Sequence, residues 1–395
     1  MSDSQIDPDI FTYLAPGLEA NIEMLAETWK PDDPAYRADF YRQTMMNLSW
    51  AYFAFFHADG EHPDWAPLWN PVYTDQPNPD DIYVYSPIRG DLDYRISGSR
   101  GTCSLITFNV QRGWTGITER SDMGFGINFD DRDITVDADG NIDLVLSSKP
   151  RPDGHQGDWI EMAPEATAVV LRYRMVDWEN EVDPQLSIEC LSPVGPKLRL
   201  TPEQILERIQ GMARLPLLYS QSFLAIQNSV KERVGTNTFL GEKYPGGGLS
   251  QQLYWPAVFD ISDGEALILE VDMPERRHYW NIQMNDPYFN TVEIVYRFCS
   301  VNEATAHISS DGKLHCVVAN EDPGVPNWLD AGGFHEGTIY GRWYDCDSEP
   351  LPTLKRVKLS EVRDHLPADT PVVTPEARAE LLARRVRAAQ RRRRW

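Results

Sequence analysis

The stretch Tyr279-Trp-Asn-Ile-Gln283 decides the fold of this 395-residue chain, because its pattern occurs twice. Phe108-Asn-Val-Gln111 repeats the order aromatic, Asn, aliphatic, Gln 172 positions earlier. The same spacing relates Asp311-Gly312 to Asp139-Gly140, and each Asp-Gly pair precedes a strand-like run. Self-similarity at a fixed spacing is the sequence signature of a repeated structural unit. The sequence therefore predicts an internal duplication of a β-module.

The strand-like runs around both copies are short, alternating or β-branched, and separated by turn residues. Such runs are typical of sandwiches and jelly rolls. We therefore predict an α+β fold, mainly β, with two duplicated β-sandwich or jelly-roll-like modules and helical N-terminal and inter-module segments. The predicted units are a helical segment at 1–75, a first β-module at 76–200, a helical interlude and linker at 201–249, a second β-module at 250–370 and a basic C-terminal helix at 371–395.

Helices are predicted in three further places. Residues 16–30 and about 34–57 carry helical patterns, the first as an apolar stripe and the second as an aromatic run. A third helix is predicted to begin with Thr201 as its N-cap, and Pro216 is expected to interrupt it. Residues 113–132 are rich in Gly and Asp and are expected to be irregular.

The charge is strongly negative and unevenly distributed. A net charge of −23 argues against nucleic-acid or anionic-membrane binding by the body of the protein. Residues 376–395, by contrast, hold eight Arg and two Glu. We expect this basic tail to lie against the acidic body or against an identical neighbour, which would make a homo-oligomer. Contact with nucleic acid or a membrane surface is the alternative for an Arg-rich end.

Cysteine usage and hydropathy predict the compartment. The five Cys show no CxxC or Cys/His cluster, which favours a reducing environment over a disulfide framework or zinc site. The N-terminus has no signal-peptide pattern, and no apolar run of about 18 residues predicts a transmembrane helix. We therefore expect a cytoplasmic protein.

Four motifs together resemble a known family: Tyr279-Trp-Asn281, Ser310-Asp-Gly312, Pro326-Asn-Trp-Leu329 and Gly341-Arg-Trp-Tyr344. Through them, residues 250–367 resemble the family of domains of unknown function numbered 1214. Asn78-Pro-Asp-Asp-Ile-Tyr83 loosely resembles the entry to the β-part of the companion domain numbered 1254. The resemblance implies a pair of β-sandwich or jelly-roll modules with helical additions. It implies no activity, because the family has no established biochemical role.

Strand alternation places Tyr279, Asn281 and Gln283 on one face of the organising strand. Amides on that face can position hydroxyl or carbonyl groups of a ligand, or they can form a buried polar network that joins the modules. Arg342 lies among aromatic residues and can clamp a carboxylate or stabilise negative charge. The alternative for Arg342 is an internal ion pair.

An acid and a histidine complete the candidate set. Asp81 lies near Tyr83, and a carboxylate beside aromatic rings can have a raised pKa and move a proton. The alternative for Asp81 is a role in a turn. His278 borders the organising strand, but the histidines of the second module lack the spacing of metal ligands, so no metal is predicted.

These observations predict a cofactor-independent acid–base enzyme of the lyase, hydrolase or isomerase type. Its substrate would be a small, partly apolar molecule with hydroxyl or carbonyl groups, bound in an aromatic-lined cleft. The alternatives are a non-catalytic binder of a sugar or lipid-like ligand and a homo-oligomeric scaffold. The predicted catalytic residues are Arg342, Asp81, Tyr83 and His278, and the predicted substrate-binding residues are Tyr279, Asn281, Gln283, Trp328, Tyr254 and Arg89.

Overall fold

The computed structural model describes residues 8–28, 34–69, 71–113, 124–243, 249 and 251–392. Short 3-10 helices lie at Pro8–Tyr13 and Leu359–His365, and a short π-helix lies at Phe53–His57. The α-helices are α1 (Ala15–Thr28), α2 (Pro34–Tyr52), α3 (Pro202–Val234) and α4 (Pro375–Arg391). Within these ranges no helix is long and apolar enough to cross a bilayer.

The first module is a sandwich of two sheets. Its strands are β1 (Ala66–Pro67), β2 (Asp81–Pro87), β3 (Tyr94–Ser99), β4 (Leu105–Arg112), β5 (Gly124–Asp130), β6 (Asn141–Ser147), β7 (Asp158–Glu161), β8 (Ala168–Arg174) and β9 (Gln185–Cys190). One sheet has the order β1-β2-β8-β4-β5 and the other has the order β7-β6-β3-β9. All pairs are antiparallel except β6 with β7.

The second module has the same construction. Its strands are β10 (Gln252–Asp260), β11 (Glu265–Asp272), β12 (Arg277–Asn285), β13 (Ser300–Asn302), β14 (Lys313–Ala319), β15 (Trp328–Asp330), β16 (Glu336–Cys346) and β17 (Thr353–Lys358). The two sheet orders are β10-β16-β12-β13 and β15-β14-β11-β17. Here too a single pair, β14 with β15, is parallel.

The predicted duplication is confirmed by the strand positions. The strand β4 begins at residue 105 and β12 at 277, and β6 begins at 141 and β14 at 313, so both pairs keep the spacing of 172. The order of β2, β8, β4 and β5 matches that of β10, β16, β12 and β13, and β1 is an extra edge strand. The mainly β fold class with two duplicated modules is therefore confirmed.

Each sandwich encloses its own apolar core. In the second module the core contains Trp255, Trp280 and Trp343, all fully buried. Gly341 stands where a Cβ atom would overlap the ring of Trp255, so the glycine leaves room for this aromatic core. Burying side chains of this size stabilises the fold by roughly 1.5–3 kcal/mol each. Because Trp280 points into this core, the neighbouring residues of β12 must face the other way.

The modules contact each other through equivalent sheets. Side chains from the sheet β1-β2-β8-β4-β5 meet side chains from the sheet β10-β16-β12-β13, and we call this contact the module junction. The helices α2 and α3 pack beside it against both sheets. The helix α4 lies across the outside, where Arg385 contacts Trp178 and Ile294.

Two local expectations were wrong. The capping box of Thr201 and Gln204 begins α3 as predicted, but the helix continues through Pro216. Pro216 is buried, and its carbonyl accepts a hydrogen bond from Asn47 of α2 (3.3 Å), so packing against α2 outweighs the lost helical hydrogen bond. The expected irregular segment 113–132 contains β5, which pairs with β4. The glycine run at 246–248, which the sequence predicts to be a hinge or turn, lies outside the described residues.

Candidate functional site

The module junction contains a layer of buried polar side chains. Asn78 donates a hydrogen bond to the hydroxyl of Tyr279 (2.8 Å) and accepts one from Asn281 (2.6 Å). Asp80 accepts hydrogen bonds from the Tyr279 hydroxyl (2.7 Å) and from Asn302 (2.8 Å). All five residues are buried. The amide-bearing face of β12 thus joins the modules, which was the alternative to ligand binding by Asn281.

Asp81 forms a buried ion pair with Arg174. The two carboxylate oxygens lie 2.7 and 2.8 Å from the Arg174 guanidinium, which also lies 3.9 Å from the centre of the Tyr279 ring. Burial by itself raises the pKa of Asp81, but the charge and hydrogen bonds of Arg174 outweigh it and hold the pKa below its usual value. The raised pKa expected for Asp81 is therefore wrong, because Arg174 was not assigned as its partner.

Arg342 is a buried cation held by neutral groups. Its guanidinium donates to the side-chain oxygens of Gln283 (2.6 Å), Gln76 (2.7 Å) and Asn281 (3.2 Å). The residue is 3% exposed. Among the residues that the structure describes, no carboxylate lies within ion-pair distance of Arg342. The alternative of an internal ion pair is therefore not observed there, and Asn281 and Gln283 hold Arg342.

Aromatic rings surround Arg342. The rings of Tyr254 and Tyr340 each have their centres 5.6 Å from its guanidinium carbon. Phe289 packs on Tyr340 at 5.6 Å, and Phe223 of α3 stacks on Phe289 at 5.7 Å. Phe223 is partly exposed, whereas the other three rings are buried. Tyr254, which the sequence analysis assigned to substrate binding, thus lies beside Arg342.

Trp69 and the segment 71–76 lie beside these rings with an unusual backbone. Trp69, Tyr73, Asp75 and Gln76 have φ values of 59°, 59°, 61° and 39°. Residues other than glycine seldom adopt this left-handed region, and such conformations persist where the surroundings enforce them. The backbone N–H of Gln76 donates to the carbonyl of Phe289 (2.8 Å), which fixes the segment against the second module.

Asp75 is a candidate that the sequence analysis missed. The Tyr219 hydroxyl donates to its carboxylate (3.4 Å), and Trp69 donates to the Tyr219 oxygen in turn. Burial of its surroundings raises the pKa of Asp75 well above its usual value, although the hydrogen bond from Tyr219 and the charge of Arg172 oppose the shift. The residue as a whole is half-buried. No sequence motif marks Asp75, because its partner is 144 positions away.

Tyr83 contacts both the Asp81–Arg174 ion pair and the ring of Trp69. Its hydroxyl accepts from the backbone N–H of Asn78 (3.1 Å) and donates to Asp81 (3.4 Å). Its ring lies 4.9 Å from that of Trp69 and 5.7 Å from the Arg172 guanidinium. Burial and the nearby charge of Asp81 raise the pKa of Tyr83, so its hydroxyl keeps its proton. Tyr83 therefore serves as a hydrogen-bond donor.

Two predicted substrate-binding residues lie elsewhere. Arg89 is exposed and pairs with Glu61 and Asp91, each at 2.7 Å. Trp328 donates to a backbone carbonyl of the outer sheet, and its ring packs under Arg378 of α4 (5.3 Å). Neither residue lies beside Arg342, because each side chain is held by neighbours on the outer surface of its module.

His278 also lies apart from Arg342. The side chain is exposed at the edge of the junction, with its ring 5.8 Å from that of Tyr344. Burial and the charge of nearby Arg132 lower the pKa of His278, so the ring is neutral at physiological pH. Across the described part of the chain, no group of three or more His, Cys, Asp or Glu side chains could hold a metal ion.

The site occurs in one copy only. In the second module Asn281 pairs with Arg342, and in the first module Asn109 pairs with Val170. The position of Arg342 is therefore occupied by Val170, which packs in the apolar cluster under α2 and α3. Arg172, on the same strand, pairs with Thr107.

Comparison with known proteins supports the fold and the family. A search of curated proteins found no match. The crystal structure of an uncharacterized protein from Burkholderia cenocepacia is similar, with a TM-score of 0.80 and 26% identity, over 89% of this chain and 96% of that one. A protein from Vibrio parahaemolyticus aligns with a TM-score of 0.46 and 13% identity, over 79% and 97% of the two chains.

The family match covers both modules rather than the second alone. Residues 86–176 and 263–348 match the family described as protein of unknown function (DUF1214). The match does not extend to the companion domain numbered 1254, whose resemblance stays a prediction. The resemblance to DUF1214 is thus confirmed, with one matching segment in each β-module of the chain.

Proposed function

We propose that this chain is a cofactor-independent acid–base enzyme acting on a small, partly apolar molecule that carries a carboxylate and a carbonyl group. One observation supports the proposal above the others: Arg342 is buried, and its described partners are neutral amide oxygens. Buried charges in proteins are normally paired or bound to a ligand. The nearby carboxylate of Asp81, whose pKa the charge of Arg342 helps to lower, is already paired with Arg174, so an anionic substrate would give Arg342 an ion-pair partner of its own.

The surroundings of Arg342 favour an organic anion over an inorganic one. Tyr254 and Tyr340 flank the guanidinium, and an apolar group of the substrate would pack against such rings. Gln76, Asn281 and Gln283 fix the guanidinium plane, which pre-organises it for a carboxylate. In this proposal they position Arg342, while Arg342 contacts the substrate.

Asp81 has a supporting role in this proposal. Its bidentate pair with Arg174 and its lowered pKa make it a poor proton donor near neutral pH. The pair stabilises the junction beside Tyr83 and Tyr279. Lyase, hydrolase and isomerase chemistry all remain within the proposal, because each can proceed by proton transfer at a carbonyl-bearing substrate.

Calorimetric titration tests the proposal with defined probes: phenylpyruvate, 2-oxobutanoate, neutral acetophenone and glucose. We expect the two oxo acids to bind and the neutral compounds to bind weakly or not at all. Arg342→Lys keeps the charge but loses the planar fork, so oxo-acid affinity should fall about 10- to 100-fold, the equivalent of roughly 1.5–3 kcal/mol. Arg89→Lys, on the outer surface, is the matched control and should leave affinity unchanged.

Two results would contradict the proposal. Binding of glucose but not of the oxo acids would favour the non-catalytic sugar-binding alternative. Oxo-acid affinity that is equal in wild type and Arg342→Lys would remove Arg342 from the site. Thermal melting of both variants provides the folding control.

We also place the protein in the cytoplasm. The support is that all five cysteines are free, with Cys103, Cys299 and Cys316 buried as thiols. Free buried thiols suit a reducing compartment. A homo-oligomer that is joined by the basic tail stays a separate hypothesis; within one chain, α4 contacts the body through pairs such as Arg384 with Glu179 (2.6 Å).

A further inference from the structure

The segment that holds Arg342 also carries a carboxyl group. Gln76 accepts a hydrogen bond from Arg342, and the preceding residue, Asp75, accepts one from Tyr219. Consecutive Cα atoms are about 3.8 Å apart, so the Asp75 carboxyl and the Gln76 carboxamide extend from neighbouring points of the backbone. Asp75 is thus one residue away from the side chain that accepts a hydrogen bond from Arg342.

The backbone of these two residues is fixed from several sides. Both have left-handed φ values, 61° for Asp75 and 39° for Gln76. The Gln76 N–H bond to Phe289 and the Tyr219 bond to Asp75 hold the pair between the second module and α3. Strained conformations of this kind concentrate at functional sites, where they orient reacting groups.

Asp75 differs from the other acids near the junction in accessibility. Asp80 and Asp81 are fully buried, and their oxygens are engaged by junction side chains, Asp81 by Arg174. The residues Asp75, Gln76 and Phe223 are half-buried.

The guanidinium of Arg172 also acts on the Asp75 carboxyl. The charge of Arg172 opposes the rise in the pKa of Asp75, so Arg172 lies within electrostatic reach of it. Two cations and one carboxyl base are the groups that a site for a 2-oxo carboxylic acid needs. One cation would bind the substrate carboxylate, and the other would stabilise negative charge that develops on the oxo oxygen.

We propose that Asp75 is the catalytic base of this site, that Tyr219 positions it, and that the substrate class is small 2-oxo acids with a C–H bond next to the carbonyl. This inference rests on the proposed function of Arg342 as the anion anchor. The Asp75 carboxylate takes the proton from that carbon, the electron pair of the C–H bond forms a carbon–carbon double bond, and the π pair of the carbonyl moves to its oxygen to give an enolate. Return of the proton from Asp75 to carbon closes the cycle.

The environment of Asp75 suits that role. Burial raises its pKa, which makes its carboxylate a stronger base than an exposed aspartate. The Tyr219 hydroxyl, itself buried, keeps the carboxylate oriented from α3. Trp69 donates to the Tyr219 oxygen, so the hydroxyl proton points to Asp75.

Proton exchange with heavy water measures the step directly. Wild-type protein in D2O should accelerate loss of the C3 proton signal of 2-oxobutanoate in NMR spectra, above the protein-free rate. Asp75→Asn keeps the shape and tolerates the left-handed backbone. It should lower the accelerated rate about 10²- to 10⁴-fold while calorimetric affinity for 2-oxobutanoate changes less than about threefold. Asp263→Asn, with a side chain 98% exposed, is the control and should exchange like wild type.

The outcomes separate this inference from the proposed function. Exchange that is equally fast in Asp75→Asn, or binding without any accelerated exchange by wild type, overturns the role of Asp75 and leaves Arg342 as an anchor. A wild-type protein that binds no oxo acid overturns the proposed function, and the inference with it. Melting temperatures show whether each variant is folded.

Tyr219→Phe tests the positioning role through the pH profile. The groups that act on the Asp75 carboxyl are Tyr219 and Arg172. The Tyr219 hydrogen bond favours the carboxylate form, so its removal should raise the pKa of Asp75 further. The exchange rate, which rises with pH as Asp75 loses its proton, should then have its midpoint at higher pH. An unchanged midpoint would show that Tyr219 is only structural.

Discussion

Asp286 is a buried carboxyl outside the proposed site, and its pKa makes stability depend on pH. The backbone N–H groups of Tyr288 and Asn290 each donate to it at 2.9 Å. Burial nevertheless raises the pKa of Asp286 from 3.8 to about 6. The folded state therefore binds the proton more tightly than the unfolded state. Its contribution is complete below the unfolded pKa and is lost as the pH rises through the folded pKa.

We expect this loss to appear when wild type is compared with Asp286→Asn, which cannot titrate. The free energy of unfolding of wild type relative to the variant should fall by roughly 1–3 kcal/mol between about pH 4 and pH 7 and stay flat above that. Urea unfolding at pH 4, 5.5, 7 and 8 measures it. A difference that stays constant across this range would contradict the raised pKa.

At the scale of elements, α4 is the clearest case of a helix held by its own chain. The Arg385 guanidinium donates to the carbonyl of Ile294 (2.8 Å) and lies 4.6 Å from the centre of the Trp178 ring. Arg378 makes two 2.9 Å bonds to Asp322. The acidic body thus neutralises part of the basic tail within one molecule.

Arg385→Ala should therefore destabilise the protein by about 1–3 kcal/mol, because a packed cation and its hydrogen bonds are lost. Arg387→Ala is the matched control: this exposed residue pairs with Glu380 of the same helix (3.2 Å), so stability should change by less than about 0.5 kcal/mol. Urea unfolding compares the two. Light scattering of a chain that ends at residue 374 should give the same number of chains per particle as the full chain, and a smaller number would instead support the scaffold hypothesis.

The sequence predicted helices and strands best where residues close together in the chain determine them. The alternation of β12 predicted that Asn281 and Gln283 share one face, and in the structure both accept hydrogen bonds from Arg342, whereas Trp280 on the opposite face lies in the core. Pro216 was assigned as an interruption because the rule for proline is local, while its tolerance depends on contact with α2. The sequence pattern of β5 is glycine-rich, so its pairing with β4 was not apparent.

The residues of the site were harder to predict than the strands. Asp75 follows no motif, and its contacts with Tyr219 and the neighbouring Arg172 connect three separate parts of the chain. Arg89 and Trp328 were assigned from residue type alone, and their actual partners lie on outer surfaces. One sequence shows which residues could act, but long-range contacts decide which of them meet.

At the scale of the whole molecule, the junction should couple the stability of the two modules. Tyr279→Phe removes the hydroxyl that donates to Asp80 and accepts from Asn78. Both partners are buried, so we expect the free energy of unfolding of this variant to fall by about 1–3 kcal/mol. Tyr296→Phe, at a residue 60% exposed, should change stability by less than about 0.5 kcal/mol. Urea unfolding followed by Trp fluorescence measures both, and equal effects would contradict a junction that stabilises the fold.

The duplicated sandwiches meet through the same sheet of each copy, which is the geometry of an isologous dimer joined into one chain. In a dimer of identical subunits, every change in sequence appears on both sides of the interface. Covalent joining removes that constraint, so one copy can keep Val170 under the helices while the other carries Arg342. Fusion thus allows a symmetric ancestor to evolve a single asymmetric centre, with one half free to specialise and the other to support it.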